Sequence, residues 1–88
     1  MMSKKASQFG GMIRKARLAR QVKQIELARY LGVVKSQLYR YETGETLPKV
    51  LTLWEICARL NLDFNQYSRL WIEARLEMEE NGQWQTSG

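Results

Sequence analysis

The run Lys-Ser-Gln-Leu-Tyr-Arg-Tyr at residues 35–41 gathers the side chains in this sequence best suited to chemistry. Lys35 and Arg40 can donate to the O6 and N7 acceptors of guanine, Arg40 as a planar fork, and Gln37 can pair with the N6/N7 edge of adenine. Tyr39 offers a ring to a thymine methyl or a hydroxyl to a phosphate, and Ser36 is small enough to permit close approach. Leu38 and Tyr41 interrupt the polar residues three positions apart, the spacing of an inward-facing pair on a helix. The competing reading of the five is an ordinary solvated helix face. Other chemistries have no carriers. The sequence has no His, so imidazole-based zinc sites and His-based acid–base or triad chemistry are excluded. Cys57 is the single cysteine and fits a small buried core position in a reducing compartment. The acids and tyrosines form no evident catalytic set, and no glycine loop is present to cradle a nucleotide. No enzymatic activity, catalytic residue, metal site or cofactor is expected.

For five side chains to face one partner, a helix must hold them out from a domain. Residues 24–41, QIELARYLGVVKSQLYRY, have the pattern for this. Two short helices that cross closely need a small residue at the crossing, supplied by Ala28. The sharp turn between them favours a residue tolerant of positive φ, supplied by Gly32. Leu27, Leu31, Val33, Leu38 and Tyr41 then seal the pair onto the rest of the chain. This is a helix-turn-helix spanning residues 24–43. Such a unit lays its second helix in the major groove of duplex DNA with the N-terminal residues toward base edges. Lys35, Ser36, Gln37, Tyr39 and Arg40 are accordingly the expected base-contacting residues.

The supporting elements are all helical, and no strand-like alternation appears. Residues 1–8 read as a flexible basic leader. Phe9, Met12, Ile13, Ala16 and Ala19 mark a first helix, and Gly44 closes the third. Pro48 opens a fourth helix with Val50, Leu53, Trp54, Cys57 and Leu60 at spacings of three and four. Asp63 caps a fifth over residues 64–80, and residues 81–88 read as a flexible tail. Eighty-eight residues make one small all-α domain of five helices.

The motif continues on both sides of the two helices. IRKAR at residues 13–17 precedes Gln24 and Glu26-Leu27-Ala28; Tyr41-Glu42, Gly44 and Pro48 follow; Leu53, Ile56, Leu60 and Leu62 complete the set. Over residues 9–63 the chain resembles the lambda-repressor-like Cro/C1-type (XRE) helix-turn-helix family. The resemblance implies a five-helix lambda-repressor-like fold and a sequence-specific regulator of transcription that binds double-stranded DNA. It also implies a structural salt bridge between Arg17 and Glu42, and a phosphate contact from Gln24. Lys23, Thr43, Thr46 and Lys49 are the further expected phosphate contacts, with the amides near residues 48–50 adding a helix dipole. The chain departs from the family where small hydroxyl residues usually open helices 2 and 3. Lys23 and Val34 stand there, weakening each N-cap by about 1 kcal/mol. With Ser36 as an alternative cap, the start of helix 3 stays open between two positions. Glu45 is an unfavourable neighbour for a phosphate.

The charge supports a polyanionic partner. The net charge is +5, but residues 1–40 hold ten Lys and Arg against Glu26 alone, whereas residues 41–88 hold four against eight acids. The fifth helix carries Phe64, Tyr67, Trp71, Ala74 and Met78 at alternating spacings of three and four, broadened by Leu70. In one reading this stripe closes the core of a monomer. In the other, favoured because a two-fold dimer reads two half-sites of an inverted repeat, Trp71, Ala74 and Met78 form a homodimer interface with Trp84 nearby. A repressor is then the leading function. The alternative is an antitoxin-type module whose residues 64–88 hold a toxin as protein partner while it autoregulates its operon. RNA binding is weaker, since no aromatic sheet signature is present. No apolar run reaches membrane-spanning length and no signal segment is evident, so the expected setting is cytoplasmic, with no membrane partner.

Overall fold

Ser3 starts the first helix. Its hydroxyl accepts a hydrogen bond from the Ala6 amide at 3.1 Å, satisfying a first-turn donor that has no partner within the helix. The computed structural model describes residues 3–82 and the backbone of Thr86–Ser87. Helix α1 runs Lys4–Ala19, with Ala6, Phe9, Gly10, Ile13, Ala16 and Arg17 on its buried stripe. The leader expected at residues 1–8 is therefore helical from Lys4 onward. Its polar composition concealed the Ser3 cap and the one apolar residue, Ala6, that extends the stripe.

Helices α2 (Gln24–Leu31) and α3 (Lys35–Thr43) form the helix-turn-helix. Gly32 takes the left-handed conformation at φ 72°, and the Val33 amide closes back on the Ala28 carbonyl at 3.0 Å. Gly44 ends α3 at φ 83°, with the backbone of Ser7 so close that no Cβ would fit. Gly10 is equally constrained: a Cβ there would overlap the Tyr41 carbonyl oxygen and lie 2.6 Å from that of Glu42. These two glycines let α1 press directly on the C-terminal end of α3. Leu38 and Tyr41 are fully buried beneath it.

Helix α4 (Val50–Leu60) buries Leu53, Ile56, Cys57 and Leu60. Val50 and Trp54, expected on that stripe, remain half exposed, and Ile56 takes the inward position. Asn61 turns the chain in the left-handed region, and Asp63 caps α5 (Phe64–Glu80) by accepting from the Asn65 amide at 3.0 Å. Helix α5 lies against α1 and α4. Residues Thr86–Ser87 return to pair in parallel with Leu47–Pro48, a two-residue ladder of β1 (Leu47–Pro48) and β2 (Thr86–Ser87). The second strand lies within the tail expected over residues 81–88. Met1, Met2 and Trp84 lie outside the described residues.

The α5 stripe is used within the chain. Tyr67, Trp71, Ala74 and Met78 are all buried, and the Trp71 indole donates to the Pro48 carbonyl at 2.8 Å. Trp71, Ala74 and Met78, expected to meet a second subunit, are thus core residues covered by the chain's own helices. The spacing identified a buried face correctly, but spacing carries no information on whose surface buries it. Further along, Glu77 of α5 reaches the start of α1. Its carboxylate accepts from the Ser3 hydroxyl at 2.5 Å and from the Lys5 amide at 2.9 Å, and Lys5 Nζ lies 3.7 Å from Glu73. These two bonds, the Ser3 hydroxyl's first, hold the Glu77 carboxyl below its ordinary pKa.

Candidate nucleic-acid interface

A buried ion pair fixes how the helix-turn-helix sits on α1. Arg17 donates from Nε to Glu42 Oε2 at 2.7 Å and from Nη2 to Glu42 Oε1 at 3.1 Å, with the side chains 6% and 1% exposed. A third donor, Nη1, reaches the Val22 carbonyl at 2.9 Å. Gln24 Nε2 donates to Glu42 Oε1 at 3.1 Å, so one carboxylate ties α1, the start of α2 and the end of α3 together. Such a two-point fork fixes direction as well as distance.

Helix α3 begins at Lys35, directly after Val34, and neither Val34 nor Lys23 makes a side-chain cap. The Val34 carbonyl accepts from the Gln37 and Leu38 amides at 3.0 and 3.3 Å, so the missing cap does not delay the helix. Lys35, Ser36, Tyr39 and Arg40 face outward and are exposed. With Gln24, the first three line a shallow surface depression. Gln37 is half-buried. Its amide donates to the Thr46 hydroxyl at 3.4 Å and also bonds the Tyr41 hydroxyl, whose pKa burial pushes up and this bond opposes. Gln37 is therefore turned toward the loop after α3, unlike its four neighbours.

The expected phosphate contacts divide in the same way. Lys23 and Lys49 are exposed at the starts of α2 and α4, and Gln24 is half-buried with its amide on Glu42. Thr43 donates its hydroxyl to the Arg40 carbonyl at 3.2 Å. Thr46 is buried, with its hydroxyl accepting from Gln37, so it supports the loop and presents little surface to a backbone phosphate. Loop position alone suggested otherwise, because the inward turn of that side chain depends on Gln37. The exposed Lys23, Lys35, Arg40 and Lys49 take part in no ion pair among the described residues. Their charges are available to an external anion.

An outward helix of hydrogen-bonding side chains, anchored by a buried fork and accompanied by cations in no ion pair among the described residues, presents a surface suited to a polyanion. The family model for helix-turn-helix proteins (HTH_3) matches residues 13–66, from the first helix into the fifth. The chain belongs to the Cro/C1-type helix-turn-helix family. Members of this family are DNA-binding regulators of transcription, and the five-helix fold is lambda-repressor-like. A 10 kDa protein of the ImmF control region of Bacillus phage phi105 is 34% identical over 74 residues, covering 84% of this chain and 79% of the relative. The restriction-modification controller protein C.AhdI from Aeromonas hydrophila superposes with a TM-score of 0.65 at 21% identity, covering 70% of this chain and 94% of that one. An HTH_3 family transcriptional regulator from Vibrio cholerae gives 0.61 at 31% identity, over 70% of this chain and 35% of its own length.

One residue of this surface escaped the sequence reading. Val34, which by sequence is a position lacking a cap, is 68% exposed at the head of α3. The signal was present in the doubled valine, since a turn between two short helices has room inside for one. Among the described residues no cluster of His, Cys, Asp and Glu could hold a metal ion, and no helix is long and apolar enough to cross a membrane.

Proposed function

We propose that this protein is a dimeric repressor that reads an inverted repeat in double-stranded DNA, seating α3 of each copy in the major groove. The observation that carries the reading is the outward row Lys35, Ser36, Tyr39 and Arg40, with Lys23 and Lys49, exposed at the starts of α2 and α4, in no ion pair among the described residues. Base edges are read by the row and the phosphates on either side are held by the lysines. Repression follows from occupancy of a promoter. The control-region relative of phage phi105 and the restriction-modification controller fold support a regulatory role for a chain of this size.

The dimer surface moves from the residues first expected. With Trp71, Ala74 and Met78 inside, the uncovered apolar side chains of this half are Val50, Leu51 and Trp54 on α4 and Ile72 and Leu76 on α5. We assign the two-fold contact to these. Selection of bound sequences from a random DNA pool tests the reading. Inverted repeats with half-sites about one helical turn apart are expected. Binding that is only salt-sensitive, with no enriched sequence, would overturn it. Light scattering tests the dimer separately; a monomer mass both with and without the selected operator counts against it.

A further inference from the structure

We infer that Val34 is a specificity-determining residue that reads the C5-methyl group of a thymine in the major groove. The inference rests on the groove-reading role of α3 and names one feature of the site it reads. Val34 stands at the N-cap of α3, where a side-chain oxygen would satisfy a first-turn amide, and it supplies none. Nor does it pack: Val33 lies against the core while Val34 is 68% exposed. An apolar side chain that neither caps nor packs breaks two local preferences at once, and such positions mark functional sites.

The surroundings identify what it meets. Lys35 and Ser36 follow it onto the reading face, and Lys35, directly after it, carries no ion pair among the described residues. A cationic neighbour favours a polyanion over an apolar protein surface. On the major-groove edges of the base pairs the thymine methyl is the one bulky apolar group, since cytosine offers only a C5–H beside its N4 donor and the other groups donate or accept hydrogen bonds. Against any other edge Val34 would strip water from a polar atom and replace nothing. Its β-branched side chain is also restricted at χ1, so little freedom is lost when its methyls are set against a fixed target.

The test uses the full chain and an operator obtained by selection. Each thymine is replaced in turn by deoxyuridine, which removes the methyl and leaves the hydrogen-bonding edge intact, and Kd is measured by fluorescence anisotropy. One thymine per half-site is expected to weaken binding about fourfold when demethylated, the equivalent of one buried methyl group. Val34→Ser should bring the thymine-to-deoxyuridine ratio at that position to one. Its melting temperature should hold or rise, because serine can cap α3. Equal affinity for all thymine and deoxyuridine operators would overturn the inference, as would a Val34→Ser protein that keeps the wild-type ratio. A parallel series places 5-methylcytosine at each cytosine. Tightening there, with no sensitive thymine, would show that the methyl read belongs to modified cytosine and would also overturn it. Failure to select any operator is a separate outcome, which removes the groove-reading role itself.

Discussion

Breaking the Arg17–Glu42 pair from one side should cost far more than removing both partners. Glu42→Leu leaves a guanidinium that is 6% exposed with the Val22 carbonyl as its one remaining partner among those described, and it also strips Gln24 of its acceptor. Arg17→Met leaves a carboxylate that is 1% exposed, with the Gln24 amide as its one remaining side-chain partner among the described residues. Loss of one partner from a buried pair costs about 3–5 kcal/mol, because the other charge stays buried without compensation. At about 4–8 °C per kcal/mol for a domain of this size, each single variant should melt roughly 12–40 °C below the wild type. The double variant Arg17→Met/Glu42→Leu buries two apolar side chains and no charge. Its stability should lie within about 1 kcal/mol of wild type or above it.

The assay is equilibrium urea unfolding of the four proteins, followed by far-ultraviolet circular dichroism. The quantity of interest is the coupling energy of the double-mutant cycle. Single losses below about 1 kcal/mol are the behaviour of an exposed pair and would refute the assignment of this contact as a buried tie. Additive losses would refute it equally, since they would show that neither residue feels the absence of the other. The double variant carries a second readout. If the fork serves mainly to direct α3, the double variant will fold and yet bind the selected operator more weakly than wild type.

Gly10→Ala should destabilise by about 1–3 kcal/mol through overlap with the carbonyls of Tyr41 and Glu42, while Gly11→Ala, with open space at its Cβ, should be neutral or stabilising by up to about 1 kcal/mol; thermal melts of both decide. Burial, with the Asp63 charge adding to it, pushes the Cys57 thiol up to about 11, so the native protein should resist thiol reagents at neutral pH and react fully once unfolded. The Glu77 carboxyl is held below its ordinary value of 4.5, so its contribution to stability is present above that pH and is lost as pH falls through the lower folded value. The melting temperatures of wild type and Glu77→Gln should therefore differ at neutral pH and converge in acid; a gap that persists there would remove the carboxylate as its cause. Arg40→Ala should lose about 1–3 kcal/mol of discrimination at one base position, whereas a uniform loss on all sequences would make Arg40 a phosphate contact.

The helix-turn-helix was legible because its constraints are local. Ala28, Gly32 and Gly44 each answer a requirement set within a few residues, and Leu38 and Tyr41 face inward by spacing alone. The errors arose where a residue's role is set by a partner distant in sequence. Nothing near Ser3 announces that Glu77, 74 residues away, will accept from its hydroxyl, so the first turn of α1 read as a loose leader. Gly10 looks like a weakness in a helix until the end of α3 is laid across it. Thr46 resembles a loop residue free to meet a phosphate until Gln37 turns toward it.

The α5 stripe depends most on partners distant in sequence. A period of three and four residues records that one face of a helix avoids water, and it is silent on what does the covering. Here the cover is α1 and α4, fastened by the Trp71 indole on Pro48 and by Glu77 on Ser3 and Lys5. Once that face is used inside the chain, any partner must bind α5 through residues outside the stripe. Ile72 and Leu76 are such residues, one helical turn apart and about half exposed. Self-association through them leaves the monomer core intact, so Leu76→Glu should abolish a dimer without lowering the monomer's melting temperature. Trp71→Ala, by contrast, should unfold the domain. An interface built on the buried stripe would tie those two effects together, and the pair of variants separates the arrangements in one experiment.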